Sequence, residues 1–220
     1  ESLLARAYTQ SRTMDLRIAG ADFAPVASSS LASGGAAGNS SSLRDAQSIL
    51  ASQLKDKPDE PRLLQLEARA DLLAGRYDAS INILDPLLAQ GPVTAGLLTD
   101  DASAYFERGL MTGSQNDRVT ALENLRRAEA LAPADSVVLF NEAIVLEESG
   151  HINSAMDAWN RYLKVEKDPE WLADGRRRLQ KLQQLQVSGT PQTRLNLGLN
   201  PWLDAPAPAR PSAHRSAASA

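Results

Sequence analysis

The chain has 220 residues, of which 43% are hydrophobic, 5% are aromatic and none is cysteine, and its formal net charge is −4. This length suits one ordinary domain, and the Ala- and Leu-rich apolar content favours closely packed helices over a β-sandwich. The acidic balance removes the electrostatic reason to expect nucleic-acid binding, and the lack of cysteine excludes thiol nucleophiles and Cys-based zinc sites. No apolar run approaches the roughly 18–20 residues of a membrane-spanning helix, so membrane insertion is not expected.

The first 42 residues form the first predicted region, a short helix followed by a Ser/Gly-rich loop. Residues 2–12 place Leu3, Leu4, Ala7 and Tyr8 on one side of a helix. After the loop sequence TMDLRIAGADFAPV, residues 28–42 are almost wholly Ser, Gly and Ala, a composition that predicts a flexible connector. Because the chain begins with Glu1 rather than Met, we expect a piece of a longer polypeptide or a processed product. The compartment stays open, with the cytoplasm favoured.

The next region, residues 43–187, is a predicted succession of helix pairs. Ser42 is the predicted N-cap of a helix from Leu43 to about Lys55. Three complete pairs are then expected at about 61–90, 94–131 and 135–163, and an amphipathic helix at 170–186 would cover the last apolar surface. Residues 188–220, rich in Pro and Ala, are predicted to be a mostly disordered tail.

The helix pairs repeat one another at a regular spacing. Two sets of equivalent residues are Ala68, Ala102 and Ala143, and Ser80, Ala121 and Ala155. The first set is spaced by 34 and then 41 residues, and the second by 41 and then 34. One seven-residue insertion between Gly109 and Ala121 explains both sets, so the basic unit has 34 residues and two helices.

A two-helix unit of this length is the period of the tetratricopeptide repeat (TPR), and the side-chain pattern resembles that family. The family pattern W-x2-L-G-x2-Y, then A-x3-F, then P is matched in the third repeat by L-x2-E-A-x2-L from Leu139 to Leu146, then by Ala155-x3-Trp159. The resemblance implies an all-α fold, a right-handed α-α superhelix. It would contain about three and a half repeats plus a C-terminal capping helix.

The resemblance also implies a concave groove lined by the first helix of each repeat. The groove positions that we expect to bind a partner are Arg62, Gln65, Arg69, Ser103, Phe106, Phe140, Asn141 and Ile144. Arginine and asparagine would bind a peptide carboxylate or backbone, and the aromatic and aliphatic side chains would give apolar contact. The same polar side chains would also keep an empty groove soluble. Gln65 and Asp100 stand where chaperone-linked relatives carry their Lys/Asn clamp, so we do not expect a chaperone-tail adaptor.

The predicted function is therefore a non-catalytic protein–protein interaction module that holds a segment of a protein or peptide partner. Self-association through an exposed end of the solenoid is a further option. We expect no catalytic residue, no cofactor and no metal site. His151 and His214 are the only histidines, and the Ser/Gly run lacks the lysine of a phosphate loop.

Two further features leave alternatives open. The basic cluster Arg176, Arg177, Arg178 and Lys181 is expected to be a solvated face of the last helix, with an acidic partner or a membrane surface as the alternative. The string AYTQSRTMDLRIAGADFAPV, the Ser/Gly loop and the repeats resemble the repeat region of bacterial proteins that carry a caspase-like CHAT peptidase domain. This resemblance implies the alternative function, a regulatory repeat segment of a larger enzyme.

Overall fold

The described part of the chain is built from α-helices. The computed structural model describes residues 1–26 and 40–188, and within these ranges there are nine helices and no strand. The helices are α1 (Ser2–Gln10), α2 (Ser41–Asp56), α3 (Pro61–Leu73), α4 (Tyr77–Gln90), α5 (Ala95–Thr112), α6 (Gln115–Leu131), α7 (Ser136–Glu148), α8 (Ile152–Val165) and α9 (Pro169–Ser188). Nearly all of the predicted flexible connector and of the predicted disordered tail lies outside the described residues.

The helices stack in the order of the sequence, as a solenoid requires. Each helix packs against the next one along the chain, and the first helices also pack in succession, α1 on α3, α3 on α5 and α5 on α7. The helix α1 therefore takes the place of the first helix of a pair whose second helix is α2. The expectation of an all-α helical solenoid is confirmed.

Side-chain caps fix where several of these helices begin. The Ser40 hydroxyl accepts a hydrogen bond from the Leu43 amide at 3.1 Å, and Thr94 and Asp135 cap α5 and α7 in the same way. The predicted cap at Ser42 is wrong by two positions. Ser42 lies inside the first turn of α2, is buried, and donates its hydroxyl to Gln10 at 3.0 Å, so it joins α2 to α1 instead.

The seven-residue insertion lengthens one helix pair. The helix α5 has 18 residues where α3 and α7 have 13, and α6 has 17 where α4 and α8 have 14. Gly75 and Gly150 leave their first helices with positive φ, 73° and 77°. The equivalent Gly109 remains helical, and Gly113, at φ 74°, makes the turn. A Cβ at Gly109 would lie 3.1 Å from the Asp117 Cβ, so α5 and α6 approach closely there.

The apolar core extends from α1 to α9 and is richest in aromatic rings near α9. Phe140 makes edge-to-face contacts with Trp159, Tyr162 and Trp171, with ring centroids 5.1–5.3 Å apart. The same core includes Leu16, from the loop after α1, which is completely buried. Among the described residues, no helix is both long and apolar enough to cross a lipid bilayer.

Candidate functional site

The candidate site is formed where the loop after α1 meets the first helices. We call the loop, residues 11–26, the docked segment. We call the predicted groove positions on α3, α5 and α7 that are buried the inner face: Arg69, Ser103, Phe106, Phe140, Asn141 and Ile144. The two remaining predicted groove residues lie on α3, where Arg62 is exposed and Gln65 is half-buried.

The docked segment contains no helix or strand, and several of its backbone carbonyls accept hydrogen bonds from side chains. Arg12 donates to three carbonyl oxygens of the segment, those of Met14 at 3.2 Å, Asp15 at 2.7 Å and Ala24 at 2.7 Å. The Tyr8 hydroxyl, on α1, donates to the carbonyl of Leu16 at 2.9 Å. Arg12 belongs to the segment, so its three bonds fix the segment's own shape, whereas the Tyr8 bond holds the segment against α1.

Asn141 on α7 contacts the docked segment through both ends of its amide. Its Nδ2 donates to the carbonyl of Arg17 at 2.9 Å, and its Oδ1 accepts from the Arg17 amide at 2.7 Å. Asn141 is fully buried, so these two bonds satisfy one donor and one acceptor that water cannot reach. Such a pair recognises the backbone of one residue whatever side chain that residue carries.

The side chain of Arg17 enters a pocket formed by α7, α8 and α9, which we call the arginine cage: Phe140, Tyr162, Glu166 and Trp171. The guanidinium carbon lies 3.9 Å from the ring centroid of Trp171 and 5.6 Å from that of Phe140. The guanidinium also contacts the Tyr162 hydroxyl at 3.3 Å and pairs with the Glu166 carboxylate. The cage thus offers ring faces and one negative charge to a single cation.

The carboxylate of the arginine cage is held in its ionised form. Burial alone would raise the pKa of Glu166. Hydrogen bonds from the backbone amide of Asp168, from Arg17 and from the backbone amide of Lys167 outweigh this effect and lower the pKa to about 2. Since the side chain of Glu166 is only 6% exposed, its charge needs a permanent partner, and Arg17 supplies it.

An ion pair ties the docked segment to α9. Arg178 on α9 donates to Asp15 at 2.7 Å and lies near Asp174 and Glu147. Arg178, part of the basic cluster predicted to be solvated, is therefore engaged inside the molecule. The neighbouring Arg176 is exposed.

A carboxyl group of α5 lies close to the same aspartate of the docked segment. Burial, together with a smaller repulsion from Asp15 and Glu148, raises the pKa of the Glu107 carboxyl to about 8.

The other end of the inner face is occupied by an internal ion pair. Arg69 binds Asp100 through two bonds of 3.0 and 2.7 Å, and Gln65 donates to the same carboxylate at 2.7 Å. The Glu1 side chain lies 3.8 Å from Arg69 and 3.3 Å from Arg62. The arginines predicted to bind a partner's carboxylate thus face carboxylates of this chain.

Sequence reasoning missed the docked segment and most of the arginine cage. One signal was present, because Met14, Leu16 and Ile18 alternate with polar residues in a stretch assigned as a plain loop. All three are buried. Tyr162 and Trp171 lie on α8 and α9, whereas the resemblance places the groove on the first helix of each repeat.

The described residues contain no group of three His, Cys, Asp or Glu side chains arranged to hold a metal ion. His151 precedes α8, and His214 lies outside the described residues. The contacts observed at the candidate site are hydrogen bonds, ion pairs and apolar packing.

Comparison with known proteins supports the fold. No protein-family model and no curated protein matches the sequence. Among solved structures, the chain is similar to a thermophilic TPR protein of Thermus thermophilus, with a TM-score of 0.57 and 21% sequence identity over 71% of this chain and 79% of that chain. The chain therefore has a TPR-like fold. The resemblance to the repeat region of CHAT-type proteins stays a prediction.

Proposed function

We propose that this TPR-like solenoid is a non-catalytic module that binds an extended segment of a protein partner on its inner face, and that the docked segment occupies this face in its absence. The observation that carries the proposal is the double hydrogen bond between Asn141 and the backbone of Arg17. This contact involves only the backbone amide and carbonyl of Arg17. A partner segment in the same backbone conformation would therefore satisfy Asn141 equally well.

Competition between the docked segment and a partner is energetically demanding. Burial of side chains such as Leu16 and Ile18 stabilises the docked state by about 1.5–3 kcal/mol each. The docked segment is also tethered to α1, which gives it an effective concentration on the order of millimolar. A free segment with identical contacts would therefore bind the wild-type chain weakly and would bind better once the docked segment is weakened.

The proposal is tested with the full chain and a labelled peptide of residues 11–26. The loosened host carries Leu16→Glu and Ile18→Glu, because carboxylates at these buried places oppose docking. Fluorescence anisotropy should show saturable peptide binding to the loosened host, at least about tenfold tighter than to wild type. Adding Asn141→Ala should weaken this binding about tenfold, since a buried backbone pair loses its partner.

The controls separate loss of binding from loss of fold. Asn160→Ala, at an exposed position on α8, should leave peptide binding to the loosened host unchanged. Far-UV circular dichroism must show that the helices persist, and a host with Leu16→Ala and Ile18→Ala serves if the glutamates unfold the chain. Folded hosts that bind no peptide would contradict the proposal. Dimers in light scattering would instead indicate exchange of docked segments between copies.

A further inference from the structure

We infer that the arginine cage is a specificity subsite, and that partner segments of the inner face carry an arginine there with an apolar residue on each side. The inference rests on the proposed function and adds the chemistry of the ligand. Its basis is that Arg17 is fixed through its backbone by Asn141 and through its side chain by the cage, so the position of one residue is defined twice.

The geometry of the cage suits a guanidinium group better than an ammonium group. Trp171, 1% exposed, lies 3.9 Å from the guanidinium carbon, at stacking distance. A planar guanidinium can stack on this ring and still donate at its edge to Tyr162 and Glu166, whereas a lysine ammonium is a strongly hydrated point charge. The ring faces and the carboxylate together therefore favour arginine.

The cage also discriminates against uncharged side chains. The side chain of Glu166 is only 6% exposed and accepts hydrogen bonds from the amides of Lys167 and Asp168, which keep it ionised. An aliphatic side chain in the place of Arg17 would leave this carboxylate without its cation in a poorly hydrated pocket. The penalty arises only when the wrong residue enters, which is how a specific site rejects competitors.

The flanking positions add an apolar requirement. Leu16 and Ile18, on either side of Arg17, are 0% and 2% exposed and belong to the same core cluster as Phe106 and Ile144. Arg12 lies 4.8 Å from the Trp171 ring, but its donors go to carbonyls of the docked segment itself. Arg12 therefore shapes the ligand, while Arg17 is the residue that the pocket selects.

The first test compares peptides of residues 11–26 on the loosened host. Replacing the peptide's Arg17 by Lys or Met should weaken binding by about tenfold or more, whereas Asp22→Asn, at an exposed position, should have no effect. In a loosened host with Glu166→Gln, the preference for arginine over methionine should fall at least about fivefold. Equal binding of the Arg, Lys and Met peptides would overturn the arginine subsite and leave the proposed function standing.

A second test does not depend on peptide binding. In the full chain with Arg17→Ala, ethylguanidinium should raise the thermal midpoint in a saturable way and more than ethylammonium does, because it refills the cage. Neither ion should produce this rise in wild type or in the Arg17→Ala, Glu166→Gln double variant. A response of the Arg17→Ala chain equal to that of the double variant would overturn the inference, whatever the peptides show.

Discussion

The pKa of Glu107, a buried residue of α5, is set by the residues around its carboxyl group. Its Oε1 has no hydrogen-bond partner among the described residues, and the residue as a whole is 9% exposed. Asp15 of the docked segment and Glu148 of α7 add repulsion to the cost of burial, and the pKa is raised to about 8. The docked segment thus contributes to the charge state of the helix on which it lies.

The raised pKa of Glu107 predicts a pH dependence of stability. The unfolded chain releases this proton near pH 4.5 and the folded chain near pH 8, so the folded state loses stability as the pH rises through that window. The variant Glu107→Gln has no such proton. We expect its free energy of unfolding to exceed that of wild type by about 1–3 kcal/mol at pH 9, with little difference at pH 4. Urea denaturation at the two pH values measures this.

A matched control for Glu107→Gln is Glu123→Gln, at an exposed position on α6. This control should leave the free energy of unfolding within about 0.5 kcal/mol of wild type at both pH values. A constant difference between Glu107→Gln and wild type from pH 4 to pH 9 would contradict the assignment of the raised pKa to Glu107.

At the scale of single helices, local sequence signals decide most boundaries. The Asp135 carboxylate accepts from the amides of Val137 at 2.8 Å and Val138 at 3.3 Å, and α7 begins at the next residue, Ser136. The exception is α5, where the repeat pattern marks Gly109 as the turn but the helix continues to Thr112. The insertion supplies a second glycine, and the later one makes the turn.

Removing the cap of α7 should destabilise the whole solenoid, because α7 carries Asn141 and Phe140. We expect Asp135→Ala to lower the free energy of unfolding by about 1 kcal/mol, the usual value of an N-cap. Asp157→Ala, at an exposed interior position of α8, is the control and should be neutral or slightly stabilising, since alanine favours helix interiors. Equal effects of the two substitutions in thermal denaturation would contradict the capping role of Asp135.

At the scale of the whole molecule, the docked segment connects α1 with α7, two helices that are not packed directly against each other. In a simple solenoid each repeat contacts only its neighbours. Here the Leu16 carbonyl accepts a hydrogen bond from Tyr8 on α1. The backbone amide of the adjacent Arg17 donates a hydrogen bond to Asn141 on α7, 124 residues further along the chain. The segment should therefore make unfolding more cooperative than in an open array.

This linkage predicts that a residue of the loop behaves as a core residue. We expect Leu16→Ala to lower the free energy of unfolding by about 2–5 kcal/mol, as large-to-small substitutions in a packed core do. Leu110→Ala, at a position 44% exposed on α5, should change it by about 0.5 kcal/mol or less. Chemical denaturation followed by circular dichroism compares the two. A small effect of Leu16→Ala would show that the docked segment is not part of the core.

The sequence by itself determined the helices, their pairing and the TPR-like solenoid, because periodicity, caps and glycines act within one turn or between neighbouring repeats. It also pointed to Asn141, Phe140 and Arg69 as inner positions, since these follow from the repeat register. Only the tertiary structure decided what those positions contact. Asn141 contacts the backbone of Arg17, and the arginine cage contacts its side chain. These contacts join residues more than a hundred positions apart, and no local sequence pattern encodes such a pairing.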